Sequence, residues 1–148
     1  METQKVLDVA YKIINSCTDK ELGDMISNLK LQKMLYYVQG FHLAFFDKPL
    51  FEDEIVAWQY GPVVPDMYRK FAQFGSSPLF VPENTKIVYF DDDSEDIFQE
   101  VIEGYGQFSA TRLMKMTHNE PPWRTTEINH VVSKNKMKRY FLTQIDES

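Results

Sequence analysis

The sequence predicts a mainly α fold, a single compact helical domain around a central buried helix, with a small β element. Three observations predict it. Apolar residues recur at helical spacing in most of the chain. One segment, near Ser27 to Phe46, is apolar almost all the way round its helical cylinder, as only a helix enclosed by others can be. Runs rich in β-branched residues are few and short. At 148 residues, 43% of them hydrophobic, the chain has material for one core, so one domain over residues 1–148 is expected.

Each element has its own local signal. Thr3 is placed to cap a first helix carrying Val6, Val9, Ala10, Ile13 and Ile14, which Ser16-Cys17-Thr18 should weaken. The central helix sets Leu31, Met34, Leu35, Val38, His42 and Phe45 on one face and Tyr36, Tyr37, Phe41 and Phe46 around the rest. Asp47-Lys48-Pro49 ends it, because proline disfavours helical geometry in the residue before it. Glu54 to Tyr60 reads as a short strand stopped by Gly61-Pro62, with Lys86 to Phe90 as its expected partner. Pro65 suits the first position of a helix bearing Met67, Tyr68, Phe71 and Phe74.

Ser94, with Glu95 and Asp96 where the helix dipole favours anions, should start a helix carrying Phe98, Val101, Ile102 and Tyr105 and stopping near Gly104 to Gly106. Ser109 caps a shorter helix through Leu113 and Met116, after which His118 to Trp123 is expected to be irregular because two successive prolines remove donors. Ser133 caps a last helix with Met137, Tyr140, Phe141 and Ile145 inward and Lys134, Lys136, Lys138 and Arg139 outward.

Charge and cysteine content narrow the function. The net charge of −6 repels phosphate over much of the surface, so nucleic-acid binding would need a local basic patch. Cys17 is the single cysteine, which rules out an intrachain disulfide and suits a reducing cytoplasm. Neither a signal peptide at the start nor an apolar run long enough for a bilayer is recognisable, so a cytoplasmic protein without membrane partners is expected.

Motifs that carry chemistry are scarce. Gly104-Tyr105-Gly106 lacks the strand-to-helix setting of a dinucleotide-binding loop. His42, His118 and His130 lie far apart and form no zinc pattern, and Asp91-Asp92-Asp93 lacks the rest of a calcium loop and reads as a solvated acidic turn. Neither a metal nor a cofactor is therefore expected, nor an enzymatic activity, although a hydrolase built around His42 or His118 is a third reading. Cys17 reads as a small buried hydrophobe and His42 as a hydrogen-bonded core histidine.

Two segments are more specific. Trp58-Gln59-Tyr60-Gly61-Pro62-Val63-Val64-Pro65 combines large aromatics, a glycine able to take positive φ and a helix-starting proline. It is either a rigid strand-to-helix corner or a corner that also presents Tyr60 to a partner. Thr117-His118-Asn119-Glu120-Pro121-Pro122-Trp123 offers the same choice between a loop pinned to the core by Trp123 and a contact surface using His118 and Trp123. The basic last helix is a solvated face or, in the alternative functional reading, the binding element of a nucleic-acid regulator.

These segments also carry a family resemblance. Leu29-Lys30-Leu31-Gln32-Lys33-Met34-Leu35-Tyr36-Tyr37-Val38-Gln39-Gly40, then Lys48-Pro49-Leu50-Phe51 and Ile55-Val56-Ala57-Trp58-Gln59-Tyr60-Gly61-Pro62-Val63-Val64, resemble the SocA-like Panacea antitoxin domain, also met as a phage-associated protein family. Thr117-His118 and Pro122-Trp123 are similar to the family's Thr-His and Pro-Trp element, and the likeness runs on to a final helix ending near Phe141. The resemblance implies a largely helical antitoxin that neutralises a cognate toxin, usually encoded by an adjacent gene, by direct protein contact. Toxins of unrelated kinds pair with this domain. The added DNA-binding module of some relatives is not seen, and Ser76 to Asp93 matches no family pattern, so the strand reading there rests on propensity alone. An aromatic surface is expected to bind the toxin, with Tyr37, Trp58, Tyr60, Gly61, Pro62, His118 and Trp123 forming or supporting it. Exposed aromatics are also compatible with a homodimer.

Overall fold

A helix with no polar face must be walled in on every side. In the computed structural model, which describes residues 2–19 and 26–145, α2 (Asn28–Phe46) holds that position, and all its residues except Leu29, Phe45 and Phe46 are buried. Its partners are α1 (Val6–Asp19), α3 (Pro65–Phe71), α4 (Asp92–Tyr105), α5 (Ala110–His118) and α7 (Lys134–Leu142). A single turn of helix, α6 (Pro121–Arg124), follows α5. The fold is mainly α, as the periodicity predicts, and no helix among the described residues is long and apolar enough to cross a membrane.

The cap signals hold where a serine precedes a helix directly. Ser109 accepts from the Arg112 amide and Ser133 from Lys136, and Ser27, where the sequence only places a helix start, caps α2 by accepting from Lys30. Others are displaced. The first helix begins at Val6, not after Thr3, because Gln4 is engaged in a bridge with Phe51, and Ser16-Cys17-Thr18 continues that helix instead of weakening it. Asp91 caps α4, while the expected cap Ser94 is buried inside it, where its hydroxyl meets His42. Phe45, expected inward, is 44% exposed.

The β element is a three-stranded antiparallel sheet in the order β2-β1-β3, made of β1 (Ile55–Trp58), β2 (Gly61–Val63) and β3 (Val131–Val132). The expected partner at Lys86 to Phe90 forms no strand. Side chains use the backbone groups that a ladder would need there. Lys12 Nζ donates to the Val88 carbonyl at 2.7 Å, and the Phe90 amide donates to Glu95 at 3.1 Å. The irregular reading of His118 to Trp123 is corrected in the same way. Pro121 and Pro122 stand in the first turn of α6, where amides have no helical acceptor in any case.

Polar side chains of α2 tie the surrounding loops to the centre. Gln39 Oε1 accepts from the Leu50 and Phe51 amides at 2.8 and 3.3 Å while its Nε2 donates to the Phe51 carbonyl at 2.9 Å. Gln32 Oε1 accepts from the Val64 amide at 2.9 Å, and Lys30 Nζ donates to the Gly106 carbonyl at 2.6 Å. Each bond satisfies a loop group that would otherwise be buried without water. His42 belongs to this set. Its Nδ1 lies 2.6 Å from the Lys48 carbonyl and so carries the proton, which leaves Nε2 to accept from Ser94 Oγ at 2.9 Å.

The α7 helix packs directly onto the backbone of α2 at Gly40. A methyl group on Gly40 would lie 2.1 Å from Phe141 Cε2. Gly40→Ala is therefore expected to lose about 2 to 3 kcal/mol of stability, although alanine is the better helix former by about 1 kcal/mol in an exposed position. Urea denaturation decides between the two, and a variant as stable as its parent would show that Phe141 does not close on the glycine.

Candidate functional site

The site is built where β1 turns into β2. Trp58 pairs with Gly61, so Gln59 and Tyr60 form the tip of the hairpin, and Gly61 takes φ +114°, a conformation closed to most side-chain-bearing residues. Tyr60 projects from this tip and is 62% exposed. Behind it the corner is pinned from two sides. Lys33 Nζ reaches up from α2 to the Pro62 carbonyl at 3.2 Å, and Trp123 Nε1 of α6 donates to the Trp58 carbonyl at 2.8 Å. The Trp123 ring stacks on His118, centroids 4.1 Å apart and 18° from parallel, and the Gln59 backbone lies in hydrogen-bonding reach of His118.

Trp58, Tyr60, Gly61, Pro62, His118 and Trp123 thus meet at one corner, from segments far apart in sequence. Tyr37 does not join them. It is wholly buried in α2, its ring against Tyr105 and Phe141, so it supports the corner from the interior and can touch no partner. Gly61 and Pro62 are buried as well and contribute shape, not contact surface.

Beside the corner lies an open groove of about 500 Å³, walled by Leu29, Trp58, Tyr60, Val63, Tyr68 and Ala72 among others. Its lining carries no acid or base other than tyrosine hydroxyls, with Ser27, Asn28 and Ser76 as its polar side chains. Trp58 and Tyr68 meet edge to face across 5.1 Å, which fixes both rings. Such a groove suits apolar side chains and offers nothing to hold a charged ligand.

Under the corner the electrostatics are unusual. Glu120 is buried at the N-cap of α6, and its two carboxylate oxygens accept from Tyr36 at 2.9 Å and Tyr37 at 2.8 Å, with Tyr140 a further donor. Burial raises its pKa to about 7 against the opposing effect of these donors. The same burial, aided by the glutamate's charge, pushes the Tyr36, Tyr37, Tyr105 and Tyr140 hydroxyls upward. Lys33 is fully buried and burial lowers its pKa to about 7. His118 is lowered by burial and by Lys33, and its Nε2 is shielded without a hydrogen-bond partner among the described residues.

No group of three His, Cys, Asp or Glu among the described residues is arranged to hold a metal ion. His42, the other histidine considered for chemistry, bridges Lys48 and Ser94 inside the fold. Sequence reasoning missed Lys33 and Glu120 as supports of the site and missed the groove. A signal for Lys33 existed: a helix enclosed on all sides must bury its polar residues, and buried polar groups need partners. Nothing local in the sequence pointed Glu120 at Tyr36 and Tyr37, more than eighty positions away.

Fold and site together describe a small helical module with a rigid aromatic corner next to an apolar groove. Comparison with known proteins defines it further. The model of the family described as antitoxin SocA-like, Panacea domain, matches residues 31–124. Antitoxin SocA of Caulobacter vibrioides (strain NA1000 / CB15N) is 31% identical over 127 residues, covering 77% of this chain and 68% of that protein. The chain belongs to the SocA-like, Panacea domain antitoxin family. That membership supports an antitoxin role in a toxin–antitoxin system. No solved structure matches the chain.

Proposed function

We propose that the chain neutralises a cognate toxin by direct, stoichiometric protein–protein contact, and not by catalysis. The observation that carries this reading is a corner whose backbone is pinned by Lys33 and Trp123 while Tyr60 stands 62% exposed at its tip. An exposed aromatic on a preorganised support loses little conformational freedom on binding, which is what an interface anchor requires. The neighbouring groove accepts apolar side chains of the toxin around that anchor. The toxin is encoded beside this chain and is met in the cytoplasm.

The basic last helix favours protein over nucleic acid as the partner. Lys138 Nζ pairs with Asp47 at 2.8 Å, Lys134 with Glu54 at 3.5 Å, and Lys136 Nζ donates to the Thr125 carbonyl at 3.0 Å. These cations serve the molecule's own loops, which reduces their freedom to track a phosphate backbone.

The test is co-expression of the adjacent gene with and without this chain. The neighbour alone is expected to arrest growth and the pair to grow, with equimolar and not trace amounts of antitoxin needed for rescue. Tyr60→Ala is expected to weaken toxin binding by about 2 kcal/mol, roughly thirtyfold, with stability unchanged. A harmless neighbour, or rescue at a small fraction of the toxin's concentration, would sink the proposal.

A further inference from the structure

Glu120 sits where the interior and the binding corner meet, and its surroundings are incomplete for a carboxylate. The groups that face it are hydroxyls, from Tyr36 and Tyr37 on α2 and Tyr140 on α7, with the Tyr105 hydroxyl of α4 close enough to feel its charge. The nearby cations point elsewhere. Lys33 Nζ is on the Pro62 carbonyl, Lys136 Nζ is on Thr125 and Thr126, and His118, two residues back, is turned to Trp123 and the Gln59 backbone. The carboxylate forms no ion pair among the described residues, so neutral donors alone compensate its buried charge.

Glu120 is also the first residue of the lever that pins the corner. It stands at the N-cap position of α6, its side chain on the tyrosines and not on the helix amides, and Trp123, one turn on, makes the bond to the Trp58 carbonyl and the stack on His118. Movement of Glu120 toward water would withdraw Trp123 from both contacts.

We propose that Glu120 is a proton-operated latch: neutral, it keeps residues 118–126 closed on the central helix and the corner rigid; ionised, it favours an opened segment in which the carboxylate reaches water and Trp123 leaves Trp58. The burial-raised pKa places this change near neutrality. The sign is set by linkage, since a carboxyl whose folded pKa is raised supports the closed state at low pH and loses that support as pH rises through the folded value. Lys33 has the opposite sign, because losing its proton as pH rises favours its buried position under Pro62. The direction of any change therefore identifies the group. The relevance to toxin binding rests on the function proposed above, but the latch is a property of the free chain and is tested without a toxin.

The experiment is amide hydrogen exchange of the full chain at about pH 6 and about pH 8.5, normalised for the intrinsic rate, with acrylamide quenching of the two tryptophans alongside. Protection of residues 118–126 should fall about tenfold at the higher pH in the parent and by less than about twofold in Glu120→Gln, with quenching rising in step. An equal fall in both proteins, or none in the parent, overturns the latch. Should Glu120→Gln fail to fold, Tyr37→Phe decides. It deletes a donor that favours the ionised carboxylate, so the midpoint of opening moves to higher pH, and an unmoved midpoint overturns the proposal.

Discussion

Gly61→Ala is expected to cost about 3 kcal/mol or more and to abolish toxin neutralisation, the largest effect of any single methyl group at the site. Two penalties add. At φ +114° an alanine is strained wherever its side chain points, and its Cβ would stand 2.5 Å from Lys33 Cε and 3.0 Å from Thr117 Oγ1. The lysine tip cannot swing aside, because Lys33 is wholly enclosed and held to Pro62. A double-mutant cycle separates the penalties. Truncating Lys33 to alanine removes the clash with that side chain but leaves the backbone strain, so Gly61→Ala should cost less in that background without becoming neutral. Equal cost in both backgrounds, by urea denaturation, would show that Lys33 does not press on the corner.

The parts of this fold that could be read from the sequence are those decided within a few residues. The central helix was legible because Tyr36, Tyr37 and Phe41 leave it no polar face, and the Ser109 and Ser133 caps act over three residues. Pro65 began its helix as expected. Ile87, Val88 and Tyr89 have strand-like propensity, but Lys12 and Glu95, remote in sequence or folded back from the next helix, took the backbone groups that pairing needed. The true third strand is two residues long, Val131–Val132, and follows a turn at Asn129 with φ +73°, too short a run to give a periodic signal.

The candidate site divides in the same way. Its corner was legible because Trp58 to Pro65 encodes a turn, and the Thr117 to Trp123 segment was recognised as a second element without any indication that the two touch. Their contact is a long-range hydrogen bond and is invisible in either segment alone. For Tyr37 the sequence leaves contact and support open, and its full burial leaves only support. The motif that contains it has the same use. Its polar members, Lys30, Gln32, Lys33, Tyr36, Tyr37 and Gln39, are internal struts that hold loops, including the two that form the corner.

Those struts lead to the second large effect, in the pH dependence of stability. Lys33 has its folded pKa lowered from 10.5 to about 7, so its contribution is fully present above the unfolded value and is lost as pH falls through 7. Glu120 is raised from 4.5 to about 7, so its contribution is fully present below 4.5 and is lost as pH rises through 7. Both are therefore weakest around neutrality, and together they cut a minimum into the stability profile near pH 7. Lowered His42 and His118 act mainly below their ordinary range, so differences between parent and variant isolate each buried group. The advantage of Lys33→Met over the parent should shrink by about 2 kcal/mol between pH 7 and about pH 9, as the parent's lysine becomes easier to bury. Glu120→Gln should instead gain on the parent by a similar amount, about 2 kcal/mol, as pH rises from about 5 to 7, because over that range the unfolded chain's carboxyl ionises while the buried one holds its proton, a penalty the glutamine does not carry. Denaturant midpoints across this range measure both. Parallel curves for parent and Lys33→Met would mean that the lysine keeps its proton inside the fold, and the buried ammonium would then need a counter-ion that the described residues do not supply.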